Sequence, residues 1–250
     1  MGSKGGSKHL KRENALRSWR IHPKQLQWAA RPRPGPHPQR ACLPLSILLR
    51  DLLGHTKNAR ESKIILARER VLVDGRVRRD HRFPVGLMDV VELPDANVAY
   101  RILPAIGRGL TAQQIPKDET KTKLCRVEGK STLRKGAVQL NLHDGRNVTI
   151  LVPNTQDQRD TYGTRDTLRI NMPDQKILQH LKFVEGAYAM VTSGRNIGRH
   201  GKILKIEPST GTRTAAALIE DPSGDRFETI ADYVFVVGEE VPVIKLEGEP

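Results

Sequence analysis

Cysteine is almost missing from this chain: Cys42 and Cys125 stand far apart among 250 residues, with no C-x-x-C pair and no histidine at a zinc-finger spacing. A disulfide framework and a metal module are therefore not expected, and a reducing compartment is. Aromatic residues are also few, at 4%. Cores must then be built from Val, Ile, Leu and Ala, which points to several modest cores instead of one large one. No apolar run approaches the roughly 20 residues that span a bilayer, and no apolar stretch near the amino terminus resembles the core of a secretory signal. Gly6 stands where a myristoylation pattern wants Ser or Thr. The expectation is a soluble, intracellular protein without membrane attachment.

Acidic residues are scarce at one end only. The formal net charge is +14 and the pI near 10.1, which favours a polyanionic partner, either nucleic acid or an anionic membrane surface. Residues 1–42 carry ten Lys and Arg against a single acid, Glu13, whereas residues 201–250 carry five basic and ten acidic residues. The head is the polyanion-binding end, and the tail faces solvent or protein.

The length suits two or three small domains. Residues 1–42 end in "RPRPGPHPQR" and offer two large aromatics, Trp19 and Trp28. Such a segment buries too little to offset chain entropy alone and reads as an extended arm, ordered only on something else. In 43–96, Pro44 and Ser46 precede "ILLRDLL" and Gly54 follows it, marking a short helix. Asn58 with Glu61 resembles a capping box, and Ile64, Ile65 and Ala67 give the next helix its apolar face. "RVLVDGRV" then predicts a hairpin turning at Asp74-Gly75. Residues 97–182 read as a central antiparallel β domain, where Val138, Leu140 and Leu142 alternate before Asp144-Gly145 and Val148, Ile150 and Val152 after it. Residues 183–250 hold five short strands with Gly-rich turns and read as a small β-barrel with an acidic tail. The class is α+β and rich in β.

Three constellations carry chemistry. In the arm, Lys4, Lys8, His9, Lys11, Arg12, Arg17, Arg20, Lys24, Arg31, Arg33 and Arg40 supply charge for phosphates, and Trp19 and Trp28 are expected to stack on unpaired bases. The bland reading is a solubilising tail. Prolines after Lys24 break any amphipathic membrane helix. In 43–96, Arg60, Lys63, Arg68, Arg70, Arg76, Arg78, Arg79 and Arg82 crowd one helix and its hairpin. Taken alone they are an ordinary solvated face. Their setting, with Leu66, Arg70-Val71, "VDG", Pro84 and "VGLMDVV", resembles a small RNA-binding module of ribosomal proteins, pseudouridine synthases and tyrosyl-tRNA synthetases. Leu87-Met88 stands between Gly86 and Asp89, where that module has no insertion, so the last turn is expected to differ. In 186–207, Gly186, Val191, Gly194, Gly198, Gly201 and Ile203 resemble the KOW motif, which would project Arg195, Arg199 and His200 from its loop. Ile203 after Gly201-Lys202 rules out a P-loop.

Catalysis finds little support. His143 and Asp144 are neighbours in a hairpin and point to opposite faces, without a nucleophile in a known pattern. Cys125, in an apolar strand, reads as packing.

The order of modules is similar to that of the small-subunit ribosomal protein family numbered four in the archaeal and eukaryotic series, from about Gly2 to Gly238, in its archaeal form. The resemblance implies a cytoplasmic, non-catalytic structural constituent of the small subunit. It would bind and stabilise rRNA beside neighbouring small-subunit proteins, without cofactor, metal, membrane or small-molecule substrate. Two alternatives are a KOW-containing transcription or translation adaptor and the targeting part of an RNA-modifying enzyme, though no "GRLD"-like catalytic loop is present.

Overall fold

The computed structural model describes residues 9–107, 109–134, 137–150, 161–211 and 213–246. Val152, expected in the central hairpin, and Lys4 and Lys8 of the arm lie outside them.

The fold is β-rich, with few helical turns and antiparallel ladders throughout the described residues. Strand β1 (Cys42–Pro44) leads into α1 (Leu45–Ile47), which continues as a wider π-type turn over Leu48–Leu52. Pro44 is the residue before the first helical turn, and Gly54 closes the segment at φ 68°. Helix α2 (Ala59–Ala67) is capped by Asn58, whose side-chain oxygen accepts from the Glu61 amide at 2.9 Å. Glu61 reaches back one residue further than in a standard capping box and accepts from the Lys57 amide. The buried face of α2 is Ser62 and Leu66, with Ile65 at its margin, while Ile64 is 44% exposed. That corrects the expected face: an i, i+4 pair points inward, and Ile64 lies a hundred degrees away from Ile65.

β2 (Leu72–Val73) and β3 (Arg76–Val77) form the expected hairpin, with Asp74 and Gly75 both at positive φ, the geometry of a two-residue primed turn. β4 (Pro84–Gly86) pairs with β1. β5 (Val90–Leu93), β6 (Val98–Ala105) and β7 (Gly109–Ile115) complete a first five-stranded sheet in the order β3-β2-β5-β6-β7. The division expected between residues 96 and 97 therefore falls between two paired strands, β5 and β6.

The second sheet is made of β8 (Thr122–Thr132), β9 (Val138–Leu142), β10 (Asn147–Ile150), β11 (Thr167–Asn171) and β12 (Ile177–Leu181), with β8 at its centre. Its own core holds Cys125, Val127, Leu140, Leu168 and Ile170. The third is built from the five short strands expected near the carboxyl end: β13 (Tyr188–Val191), β14 (His200–Glu207), β15 (Ala216–Glu220), β16 (Arg226–Ile230) and β17 (Val234–Gly238). It is a half-barrel and not a closed one, since among the described residues no ladder joins the edge strands β16 and β17.

One apolar cluster joins all three sheets: Leu103 of the first with Met88 from the turn before β5, Leu124 and Leu181 of the second, and Ala189, Ile203, Phe235 and Val236 of the third. Met88 enters it from the insertion noted above. The Asp89 amide donates to the Gly86 carbonyl across a tight turn, and Met88 adopts φ 64° within it. A left-handed non-glycine residue costs about 1 kcal/mol or more. Full burial of a methionine side chain, at about 1.5–3 kcal/mol, offsets that.

The described part of the arm is not detached. Leu10 and Trp19 are buried in a cluster with Leu45, Leu48, Leu66, Val71 and Ile102. Residues 11–28 double back through a Lys11–Trp28 bridge, and Arg12 donates to the Ile21 and His22 carbonyls. The low apolar content suggested a segment without a core of its own. What it packs on is the first sheet and α1.

Candidate nucleic-acid interface and the charge cluster beneath it

The most concentrated chemistry lies under the surface, where the arm, the first sheet and the second sheet meet. Lys123, on β8, is 1% exposed and its ammonium contacts Asp74 at 2.8 Å, Asp89 at 2.5 Å and Asp144 at 3.1 Å. Arg146 adds a second cation, 2.8 Å from Asp74 and 3.4 Å from Asp144. The arm contributes His37, whose Nε2 lies 3.1 Å from Asp89. Backbone amides complete the shell, Gly86 donating to Asp89 and Val90 to Asp74. Gly86 has to be glycine, because a Cβ there would collide with the His37 ring.

Burial alone would raise the Asp89 pKa, but Lys123 and His37 outweigh it and hold Asp89 well below the usual carboxylate range. Asp144 is likewise lowered, burial being overcome by Lys123, His143 and Arg146. Asp74 goes the other way: its burial, and then the Asp89 charge, raise it despite Lys123 and Arg146. Lys123 would lose its proton through burial, yet the surrounding carboxylates raise its pKa well above the ordinary value.

His143 couples this cluster to the first sheet. Its Nδ1 accepts from the Arg126 amide and its Nε2 faces the Leu87 carbonyl at 3.2 Å, so the ring is neutral with the proton on Nε2. Burial, followed by the Lys123 charge, pushes its pKa down to about 4. Cys125, His143 and Asp144 offer donor atoms within 4.8 Å of one another. Both ring nitrogens are already committed, Asp144 is held by Lys123, and burial keeps the Cys125 thiol protonated. The donor set does not suit a metal ion. Cys42 is protonated too, pushed up to about 12 by burial and by Asp89.

The residues expected to bind sort into three groups. His9, Lys11, Arg17, Arg20, Lys24, Trp28, Arg33 and Arg40 of the arm, Arg60, Lys63, Arg68, Arg70, Arg76 and Arg79 of the next segment, and Arg195 are exposed. Of these, Arg33, Arg70 and Arg79 form surface ion pairs with Asp80, Asp95 and Glu69. Such pairs are worth about 0–1 kcal/mol and yield readily to a phosphate. A second group is half-buried and works inside the fold. Arg12 ties the arm loop, Arg82 donates to the Arg31 carbonyl at 2.7 Å, and Arg78 lies over the Phe83 ring. Arg199 pairs with Asp221 and lies over Phe227, and His200 shares a hydrogen bond with Tyr188. Arg199 and His200 are thus held against the half-barrel instead of projecting from the loop, because the loop backbone lies tight on the first sheet. A Cβ on Gly198, at φ 85°, would strike the backbone at Ala105 and Ile106.

Trp19 forms a group of its own. It is 4% exposed and its Nε1 donates to the Cys42 carbonyl at 2.8 Å. The expected base-stacking role is withdrawn, since the ring is a core anchor and its polar edge is already bonded. Trp28, at 51% exposure beside His9, keeps an open face.

The comparisons with known proteins follow the same outline. The Ribosomal family S4e pattern matches residues 96–177, and the RS4NT (NUC023) domain pattern matches residues 4–40. A "Small ribosomal subunit protein eS4" of Desulfurococcus amylolyticus is 45% identical over 247 residues, 98% of each chain. The protein of that name in Methanocaldococcus jannaschii is 44% identical over 98% of this chain and 100% of its own.

The chain belongs to the ribosomal S4e family.

A solved S4e structure, the 30S ribosomal protein from Thermoplasma acidophilum, superposes with a TM-score of 0.64 at 29% identity, covering 80% of this chain and 95% of its own. The charge cluster straddles the two matched S4e regions. His37 falls in the first, Lys123, Asp144 and Arg146 in the second, and Asp74 and Asp89 between them.

Sequence reasoning missed Lys123, Asp89, Asp144, Arg146 and His37 as a group. They are scattered over 110 positions. The available signal was an acid in each of two D-G turns beside apolar strands, and it was absorbed by the turn reading.

Proposed function

We propose that this chain is a structural, non-catalytic constituent of the cytoplasmic small ribosomal subunit that binds rRNA and stabilises its folded form beside neighbouring ribosomal proteins. The observation that carries the reading is similarity, along nearly the whole chain, to proteins named for the small ribosomal subunit. The exposed cations of the arm and of residues 60–79 supply the electrostatic part of binding, through counterion release. Trp28 is the aromatic surface offered to an unpaired base. The third sheet serves as a KOW-type platform, with Arg195 at its loop. Its acidic strands face protein or solvent.

The test is sedimentation of the tagged full chain through a sucrose gradient after a high-salt wash. Retention with small subunits is expected. Co-sedimentation with RNA polymerase and never with subunits would overturn the reading.

A further inference from the structure

We propose a defined phosphodiester pocket at the seam of the arm, the β2–β3 hairpin and the β9–β10 turn, a reading that rests on the proposed rRNA binding and deepens it. A cavity of about 280 Å³ is lined there by Gly35 and Pro36 of the arm, by Arg76, Arg78 and Phe83, and by Arg146, with Asp74, Asp89 and Asp144 in its floor. Three features point to an anion. Three guanidinium groups line one small space, and Arg78 sits within reach of the repulsion of both Arg76 and Arg146. The Arg78 Nε is buried with no hydrogen-bond partner, although its guanidinium carbon sits over the Phe83 ring, 4.4 Å from the centroid. A buried unpaired donor of this kind is destabilising until an acceptor fills the site.

Asp74, Asp89 and Asp144 also line this space, paired with Lys123 and Arg146, while Arg76 and Arg78 stand on its other side. The carboxylates do not repel a guest as free groups would. Lys123, Arg146, His37 and two backbone amides already hold them from below. A phosphodiester brings one negative charge and two unesterified oxygens that suit the fork of Arg78 and the reach of exposed Arg76. The pocket is therefore assigned to a single backbone phosphate of rRNA, a contact that would also read whether the arm is seated, since Gly35 and Pro36 form one wall.

The test uses the full chain, a small-subunit rRNA transcript and a salt titration. If Arg76 and Arg78 hold the same phosphate, Arg78→Gln reduces the slope of log affinity against log salt by about 0.7–0.9, and adding Arg76→Gln reduces it little further. Lys63→Gln, on α2, lowers it independently. Additive losses from Arg76→Gln and Arg78→Gln, or an unchanged slope in Arg78→Gln, would overturn the pocket. Failure of the unaltered chain to bind the transcript would instead overturn the function it rests on. A second readout separates the two: the Nε–H resonance of Arg78 is expected to shift with a dinucleoside monophosphate more than that of Arg226. No such shift, or an equal one with inorganic phosphate and none with rRNA, counts against a phosphodiester.

Discussion

Replacing Lys123 by methionine removes the one ammonium shared by three buried carboxylates and keeps most of the side-chain volume. The structure sets the size of the effect. Asp89 and Asp144 are each 1% exposed and Asp74 7%, so water cannot replace the lost cation without opening the seam. Breaking a buried ion pair by deleting one partner costs about 3–5 kcal/mol, and here Arg146, 2.8 Å from Asp74, is the nearest cation left to share the charge among the described residues. The upper part of that range is expected. For a chain of this length, about 2–4 °C of melting temperature accompanies each kcal/mol, giving a fall on the order of 10 °C or more. Differential scanning calorimetry together with urea unfolding at pH 7 measures it. Removing the carboxylate that lost its partner, with Asp89→Asn in the Lys123→Met background, should recover part of the loss, because the penalty belongs to unpaired charge and not to missing volume. A Lys123→Met loss below about 1 kcal/mol, or a double variant less stable than the single one, would refute the reasoning.

Three other outcomes follow from the same geometry. His143 protonates in the unfolded chain near its ordinary value of 6.5 but in the folded one only near 4, so folding stability should fall as pH drops through that interval. The fall is at most about 3 kcal/mol, and urea titrations of His143→Gln should show a flatter profile. Below about pH 4 the lowered Asp89 and Asp144 continue the loss, whereas Asp74, raised in the fold, acts above its ordinary value of 3.8 and opposes the fall there. Gly86→Ala forces a methyl group into the His37 ring and should cost about 1–3 kcal/mol, read as earlier proteolysis of the arm together with a lower unfolding midpoint. Of the two tryptophans, Trp28 should be quenched by acrylamide and Trp19 largely protected. Equal quenching would contradict the packed arm.

Local patterns were legible where neighbours in sequence decide the outcome. Asp74-Gly75 makes its primed turn because both residues tolerate positive φ, and Asn58 caps α2 through the amide three residues on. The five strands near the carboxyl end were visible from alternation and glycine. Trp19 was misread because an aromatic ring in a polar, proline-rich segment gives no local sign of its partners. Those are Leu45, Leu66 and the Cys42 carbonyl, all more than twenty residues away. The Leu87-Met88 insertion was visible as a departure from pattern, but its use, driving Met88 into a core shared by three sheets, depends on the position of β13 and β17.

Charge distribution, hairpins, caps and family are properties of short windows and of their order, and the amino-acid sequence alone determined them. Which cations face solvent, which clamp the backbone, and which one neutralises three aspartates are properties of distance through space. Asp74, Asp89 and Asp144 carry ordinary turn and strand identities in the chain. They became one site only when folding placed the Lys123 ammonium within about 3 Å of all three. "RPRPGPHPQR" shows both halves of this division. Its prolines make it extended by themselves, whereas the burial of His37 against Asp89 and Gly86 was decided by the tertiary structure. A buried carboxylate must find a donor wherever the fold can supply one.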